Sequence, residues 1–329
     1  MQGLFSDLVG QTQAVALLEA ALARDRVAPA YLFAGPEGVG RRLAALRFLE
    51  GVLQTGEANR PERRRLEARN HPDLLWVEPT YSHQGRLIGR SEAEEAGVSK
   101  RTPPQVRLEQ IREVSRFLAR QPLESPRGLV VLEEPEAMAE SAANALLKTL
   151  EEPGHGLLIL LSAAPDRLLT TIRSRCQQIT FQRLSASQMG AVLQRLEPEQ
   201  CAKASMAMAE PELLALAAGS PGALLSHADH WQSVPEGLRQ GLATLPTKPA
   251  DALGLARDLC DALSGEQQLW LIAWWQHQLW AAEGNAQSLQ RLERLRSHLL
   301  AYVQPRLAWE VALLDLLQAK VEPGSSALA

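Results

Sequence analysis

Residues Ala30–Arg42 read AYLFAGPEGVGRR. A strand-length apolar run, a glycine-rich turn and then a helical pattern is the layout of a phosphate-binding loop, whose backbone N–H groups wrap the phosphates. Gly35, Gly38 and Gly40 supply the frame. In a working loop a Lys follows the last glycine and reaches the β- and γ-phosphates, and the next residue offers a hydroxyl to Mg²⁺. Here those two positions are Arg41 and Arg42. An Arg side chain has no oxygen and cannot ligate Mg²⁺, and its planar fork is larger than an ammonium. The frame is expected to survive without the chemistry. Two Arg at a helix N-terminus still have the charge to attract an anion. A plain Gly-rich turn is the competing reading, and its position directly after the first strand counts against it.

Working outward, four more strand-length runs follow: Asp73–Val77 (DLLWV), Leu129–Glu133 (LVVLE), Leu157–Ser162 (LLILLS) and Gln178–Gln182 (QITFQ). The runs at 129 and 157 are apolar almost throughout, which suits strands covered on both faces of a parallel sheet. Helical patterns separate them. Leu8–Ala23 carries Val15, Leu18 and Leu22, Val106–Arg120 carries Ile111, Val114 and Leu118, and Ser141–Leu150 carries Leu146, Leu147 and Leu150 with Ser141 as the expected N-cap. Alternating strands and helices predict an open α/β sheet. The run at 129 ends in Glu133-Glu134 and then Pro135, the layout of a Walker B element, where the first acid assists Mg²⁺ and the second orients water. Glu133 is one methylene longer than the usual Asp, and Arg42 brings no hydroxyl. A solvated strand end is therefore favoured over catalysis in this chain.

Past Phe181 the strand signal stops. Ser185–Leu196 and Glu210–Ala218 read as helices, closed by Gly219-Ser220-Pro221-Gly222. From Ala223 to Leu317 the pattern is helical again, with turn signals near Pro235, Pro246 and Gly284, and Glu322–Ala329 reads as a frayed tail. Residues 54–70 and 81–104 read as polar surface insertions. The predicted division is 1–183, 184–225 and 226–329.

The bulk numbers exclude several classes. The 329 residues carry 46% apolar and 22% charged side chains, as in an ordinary globular protein, and a formal charge of −4 with pI near 6.0 argues against autonomous tight DNA binding. The three cysteines, Cys176, Cys201 and Cys260, are odd in number and far apart, so neither a disulfide framework nor a zinc cluster is expected. The N-terminus shows no signal-peptide pattern and no run approaches 18 apolar residues, so the expectation is a cytoplasmic protein without a membrane span. His227 and His230 lack a ligand set, and Arg63-Arg64-Arg65 reads as solvated surface rather than a DNA contact. Trp270, Trp274, Trp275 and Trp280 lie on one helical stretch that is apolar on nearly every side. Domain core and subunit contact both fit it, whereas base stacking does not, since no basic residues interleave.

Two further blocks are specific. Ser141–Pro153 reads SAANALLKTLEEP, and Ser174-Arg175-Cys176 follows Leu168–Arg173 (LLTTIR). Together with Leu4–Gln11 (LFSDLVGQ), His71–Val77 (HPDLLWV) and Val106–Ile111 (VRLEQI), they resemble the AAA+ subunits of bacterial DNA polymerase III clamp loaders, the gamma/tau and delta-prime proteins, over roughly residues 1–225. The lost loop residues and the absence of Cys from 40 to 100, where many relatives carry a zinc module, point to the delta-prime branch, and Pro221-Gly222 after Ser220, where active subunits often carry an Arg, argues against hydrolysis in this chain. The resemblance implies a RecA-like AAA+ domain with a five-stranded parallel sheet (1–183), a helical lid (184–225) and an all-α collar (226–329). It implies that Arg175 is an arginine finger acting on a neighbour's ATP·Mg, with no cofactor required in this chain. Cys176 reads as a buried apolar residue. Implied partners are the gamma/tau ATPase subunits and the delta subunit, with the sliding clamp and primed DNA met through the assembly. An active gamma/tau-type ATPase and a scaffold with no chemical role are the competing readings.

Overall fold

The computed structural model describes residues 3–53, 60–83, 85–93, 95–98, 103–301 and 303–321. The tail beyond 321 and residues 54–59 of the first expected insertion lie outside them. The chain divides into two compact units. The first comprises the described residues of Met1–Val98, Pro104–Glu197 and Gly219–Ala223, and the second those of Ser99–Pro103, Pro198–Ala218 and Leu224–Ala329.

In the first unit the strands are β1 (Ala30–Ala34), β2 (Leu74–Val77), β3 (Thr80–His83), β4 (Arg86–Gly89), β5 (Leu129–Glu133), β6 (Leu157–Ser162) and β7 (Gln177–Thr180). The helices are α1 (Thr12–Ala23), α2 (Arg41–Leu53), α3 (Arg60–Glu67), α4 (Leu108–Ala119), α5 (Glu140–Glu151), α6 (Thr170–Arg173) and α7 (Ala186–Leu193). Five strands form one sheet in the order β2-β5-β6-β1-β7, every pair parallel. β1 is buried along its whole length, as continuous apolarity predicts for a strand covered on both faces. Its side chains alternate: Ala30, Leu32 and Ala34 join Ile111, Val114 and Leu118 of α4 and Leu146 and Leu150 of α5 in one core. The odd-numbered residues meet a different set, with Tyr31 and Phe33 packing on Phe48 of α2 at 5.0 and 6.5 Å and Phe33 on Phe181 at 5.3 Å between ring centroids. Truncating a ring buried this fully costs about 3–5 kcal/mol.

One local expectation changes, and the two polar insertions carry regular structure of their own. β3 and β4 pair as an antiparallel hairpin, and Gly85 between them has a φ of +76° that suits glycine. Within residues 60–67 the Arg-rich stretch is helix α3, pinned by fully buried Leu66 and by ion pairs from Arg63 to Glu50 (2.9 Å) and Arg65 to Glu124 (2.7 Å). Ser141 does not cap α5, because the helix starts at Glu140 and its N-cap is Ala139, whose side chain has nothing to offer. Ser185, by contrast, caps α7 in a reciprocal box with Gln188.

The second unit is helical: α8 (Pro198–Ala209), α9 (Pro211–Ala217), most of α10 (Pro221–Ser233), α11 (Glu236–Thr244), α12 (Pro249–Ala262), α13 (Gly265–Glu283), α14 (Ala286–Leu300) and α15 (Pro305–Val321). α13 is apolar all round and accordingly buried: Trp270, Leu271, Ile272, Trp274 and Trp275 are core, and Trp275 stacks on Trp309 of α15 at 6.3 Å. Trp280 near its end is 55% exposed. His227 accepts the Trp270 indole N–H at 3.0 Å and His230 stacks on the same ring at 5.4 Å. Residues 184–225 are shared between the units. Gly219 O accepts from Leu184 N at 2.7 Å in the first, whereas Glu212 accepts the Trp274 indole N–H at 2.9 Å in the second.

Candidate nucleotide loop and finger

The glycine loop follows β1 at the carboxyl edge of the sheet, where open α/β sheets bind ligands. Gly35, Gly38 and Gly40 have φ of +158°, +75° and +103°; a Cβ at Gly35 would lie 2.4 Å from Phe181 O, and Gly38 is hemmed in by backbone as well. A Cβ there would lie 2.7 Å from Ala223 N and 2.8 Å from Gly222 Cα. The first turn of α10 grips the loop at this point. Ser220 Oγ donates to Glu37 O at 2.6 Å and Gly222 N to Gly38 O at 3.1 Å. Gln11 closes the other side, its amide donating to Val39 O at 3.2 Å and to Gln182 O at 2.8 Å.

Most charged residues of this edge meet partners within the chain, but Arg41 Nη1 is buried without a hydrogen-bond partner among the described residues. Glu133, at the end of β5, accepts the Trp76 indole N–H at 2.7 Å and lies 3.5 Å from Arg69 and 3.9 Å from Arg42. Both guanidinium groups cover the Trp76 ring, Arg69 at 4.7 Å and Arg42 at 5.2 Å from its centre. Glu134 sits in a left-handed conformation (φ 47°) and pairs with Arg90; burial pushes its carboxyl up while Arg90 pulls it down. Glu136 Oε1 accepts the backbone N–H groups of Ala163 and Ala164 at 2.9 and 3.2 Å. Burial lowers the Arg41 guanidinium, opposed by Glu136, Glu37, Glu133 and Glu134. Four carboxylates therefore surround the place where a nucleotide would bring three more acidic groups. The carboxylate that would assist Mg²⁺ is already committed to an indole and two cations. The sequence-predicted residues Gly35, Gly38, Gly40, Arg41, Arg42, Glu133 and Glu134 all belong to this edge.

Ser174, Arg175 and Cys176 form the turn between α6 and β7. Arg175 donates from Nη1 to Thr171 O at 3.0 Å and from Nη2 to Glu151 Oε1 at 2.8 Å, with 36% of its side chain exposed. Arg173 pairs with Asp166 at 2.9 Å. Cys176 packs against the core beneath, and burial pushes its thiol up to about 12. The sequence reading missed Trp76, Arg69, Arg90, Glu136 and Glu151. Trp76 and Glu151 lie inside the two blocks that carried the resemblance, HPDLLWV and SAANALLKTLEEP. Arg69 and Arg90 sit in stretches that read only as polar insertions.

The family model described as DNA polymerase III, delta subunit, matches residues 10–185, more than half of the chain. The model of the cyanobacterial DNA polymerase III delta prime C-terminal domain matches residues 187–316. The chain belongs to the DNA polymerase III delta-prime family of clamp-loader subunits. The delta-prime subunit of Pseudomonas aeruginosa is 36% identical over 222 residues, 65% of this chain and 59% of that protein. That of Bacillus subtilis is 34% identical over 181 residues, 53% and 48% respectively. The matched stretch thus spans about half the length of these delta-prime relatives. A DNA polymerase III gamma-subunit-related protein from Thermotoga maritima shares the fold at a TM-score of 0.51 and 16% identity, covering 94% of this chain and 99% of that one. No described helix is long and apolar enough to cross a membrane, and no metal-ligating cluster occurs among the described residues.

Proposed function

We propose that this chain is the delta-prime-type subunit of a clamp loader that places a sliding clamp on primed DNA at the expense of ATP, and that it contributes Arg175 to a triphosphate held by an adjoining subunit. One asymmetry supports the reading. Arg42 at its own loop and Arg69 beside it already face Glu133, whereas Arg175 stands on the surface, where two bonds to Thr171 O and Glu151 leave the rest of its guanidinium available to a phosphate from outside the chain. A cation delivered in trans offsets the charge that spreads over the phosphoryl oxygens in the transition state and requires no nucleotide on the donor. On this reading the chain hydrolyses no ATP itself and needs no cofactor, its partners are gamma/tau ATPase and delta subunits, residues 184–225 act as a lid and 226–329 as a collar, and its place is the cytoplasmic replisome.

The test is Arg175→Ala, assembled with ATPase-competent subunits, clamp and primed DNA. Assembly is expected to persist while hydrolysis falls by at least about tenfold, a floor set against the roughly 10³–10⁵ that fingers supply in GTPases. Intact assembly with unchanged turnover would leave a scaffold and remove the chemical role.

A further inference from the structure

Arg175 is held at two points by groups that come from two different helices. Glu151 is the last residue of α5, and Thr171 lies on the single turn of α6. A free Arg side chain samples many rotamers, and a finger that must find one geometry in the transition state loses that freedom at the moment of reaction. The Thr171 carbonyl and the Glu151 carboxylate take one Nη each, at 3.0 and 2.8 Å, which fixes the plane of the guanidinium before any phosphate arrives. Arg has five N–H donors, and these two bonds engage two of them. Three point elsewhere, enough for a bidentate contact with a phosphoryl group while the anchors hold. Thr171 O is fixed by the backbone, and the half-exposed Glu151 carboxylate is the part of the clasp that can be removed without touching the fold. From the last turn of α5, the SAANALLKTLEEP block reaches across to the Ser174-Arg175-Cys176 turn through one side chain.

We propose that Glu151 is a positioning residue for the arginine finger, acting through Arg175 and not on the phosphate itself. The inference rests on the reading of Arg175 given above. Glu151→Ala is therefore expected to lower kcat for hydrolysis at the adjoining site by about two- to fivefold, the range that an exposed ion pair supplies, with the KM for ATP unchanged. Glu151→Gln, which keeps an acceptor oxygen, should recover at least half of the loss.

The experiment is a double-mutant cycle in the full assembly with clamp and primed DNA, reading kcat and KM for wild type, Glu151→Ala, Glu151→Gln, Arg175→Ala and Glu151→Ala/Arg175→Ala. Support is a kcat loss in Glu151→Ala, its recovery in Glu151→Gln, and no further loss when Glu151→Ala is added to Arg175→Ala. A loss that persists in the Arg175→Ala background would mark Glu151 as a structural residue and overturn the proposal. So would unchanged or raised kcat in Glu151→Ala while Arg175→Ala is impaired. Unchanged kcat in Arg175→Ala itself would instead overturn the finger, a result separable from both.

Discussion

Restoring the two missing loop residues should not restore the nucleotide site. The perturbation is Arg41→Lys with Arg42→Ser, which returns the ammonium and the hydroxyl at once. Removing Arg42 takes away the weakest of three contacts to Glu133, the one at 3.9 Å. The Trp76 indole at 2.7 Å and Arg69 at 3.5 Å remain. For Glu133 to assist Mg²⁺ both must let go. A hydrogen bond to a charged group is worth about 1.5–3 kcal/mol and a part-exposed ion pair about 0.2–1 kcal/mol. Together they set Mg·ATP binding back by about 2–4 kcal/mol, or roughly 30- to 1,000-fold. Adding Trp76→Phe and Arg69→Ala to the double variant is then expected to tighten it by at least about tenfold. The assay is equilibrium binding of a fluorescent ATP analogue with Mg²⁺ and again with EDTA. Micromolar, Mg²⁺-dependent binding by the double variant alone would refute the reasoning, as would no gain from freeing Glu133.

Three further outcomes follow from particular contacts. Asp73 is buried at the start of β2; burial raises its carboxyl, but the backbone N–H groups of Glu124, Leu123 and Ser125, at 2.7–2.8 Å, outweigh that and hold it below the usual carboxylate range. A depressed folded value stabilises above the unfolded pKa of roughly 3.9 and loses that contribution as pH falls through the folded value. Asp73→Asn should thus cost about 1–3 kcal/mol at pH 7 and progressively less below about pH 4 in urea titrations, and a difference that ignores pH would contradict the account. Gly38→Ala combines a left-handed φ with Cβ contacts under 3 Å to the backbone of Gly222 and Ala223, so about 2–5 kcal/mol should be lost, whereas Gly190→Ala in α7, with open space around it, should gain about 0.5–1 kcal/mol. Denaturant midpoints decide between them, and equal effects would dismiss the clash. Cys176, with its thiol near 12, should react with a thiol reagent at pH 8 far more slowly than an unperturbed thiol, and labelling at the ordinary rate would show that the turn is not packed as described.

The parallel sheet was readable because β1, β5 and β6 are strand-length, apolar almost end to end as strands buried on both faces are, and separated by helical patterns. The β3–β4 hairpin was not, since two four-residue strands of mixed polarity carry no run for periodicity to detect. The start of α5 was misplaced for a similar reason: a serine near a helix start is common chemistry, and only the backbone decides which residue leaves the helix. At the site, the residues that line the loop were legible from the spacing of its glycines and of Glu133-Glu134. Their partners were not, because Trp76 meets Glu133 and Arg90 meets Glu134 through tertiary contacts that no local pattern records.

Contacts within the chain account for the shape of the loop. A triphosphate held at about 100 times its Kd lends roughly 2.7 kcal/mol to the state that binds it. On the function proposed above the loop binds none, and its order must come from the chain. Here Ser220 and Gly222 take the carbonyls of Glu37 and Gly38, Gln11 takes that of Val39, and the carboxylates of Glu133, Glu134 and Glu136 have donors from the chain itself. All of these contacts are made by groups of the chain itself. β1, which carries the loop, is paired directly to β7, and the turn that carries Arg175 leads into β7. On the function proposed above, the finger is thus mounted on a sheet whose own loop is held by protein groups. A cation meant to meet another subunit's phosphate gains from such a mount, since a displacement of about 1 Å is enough to cost roughly a hundredfold in rate.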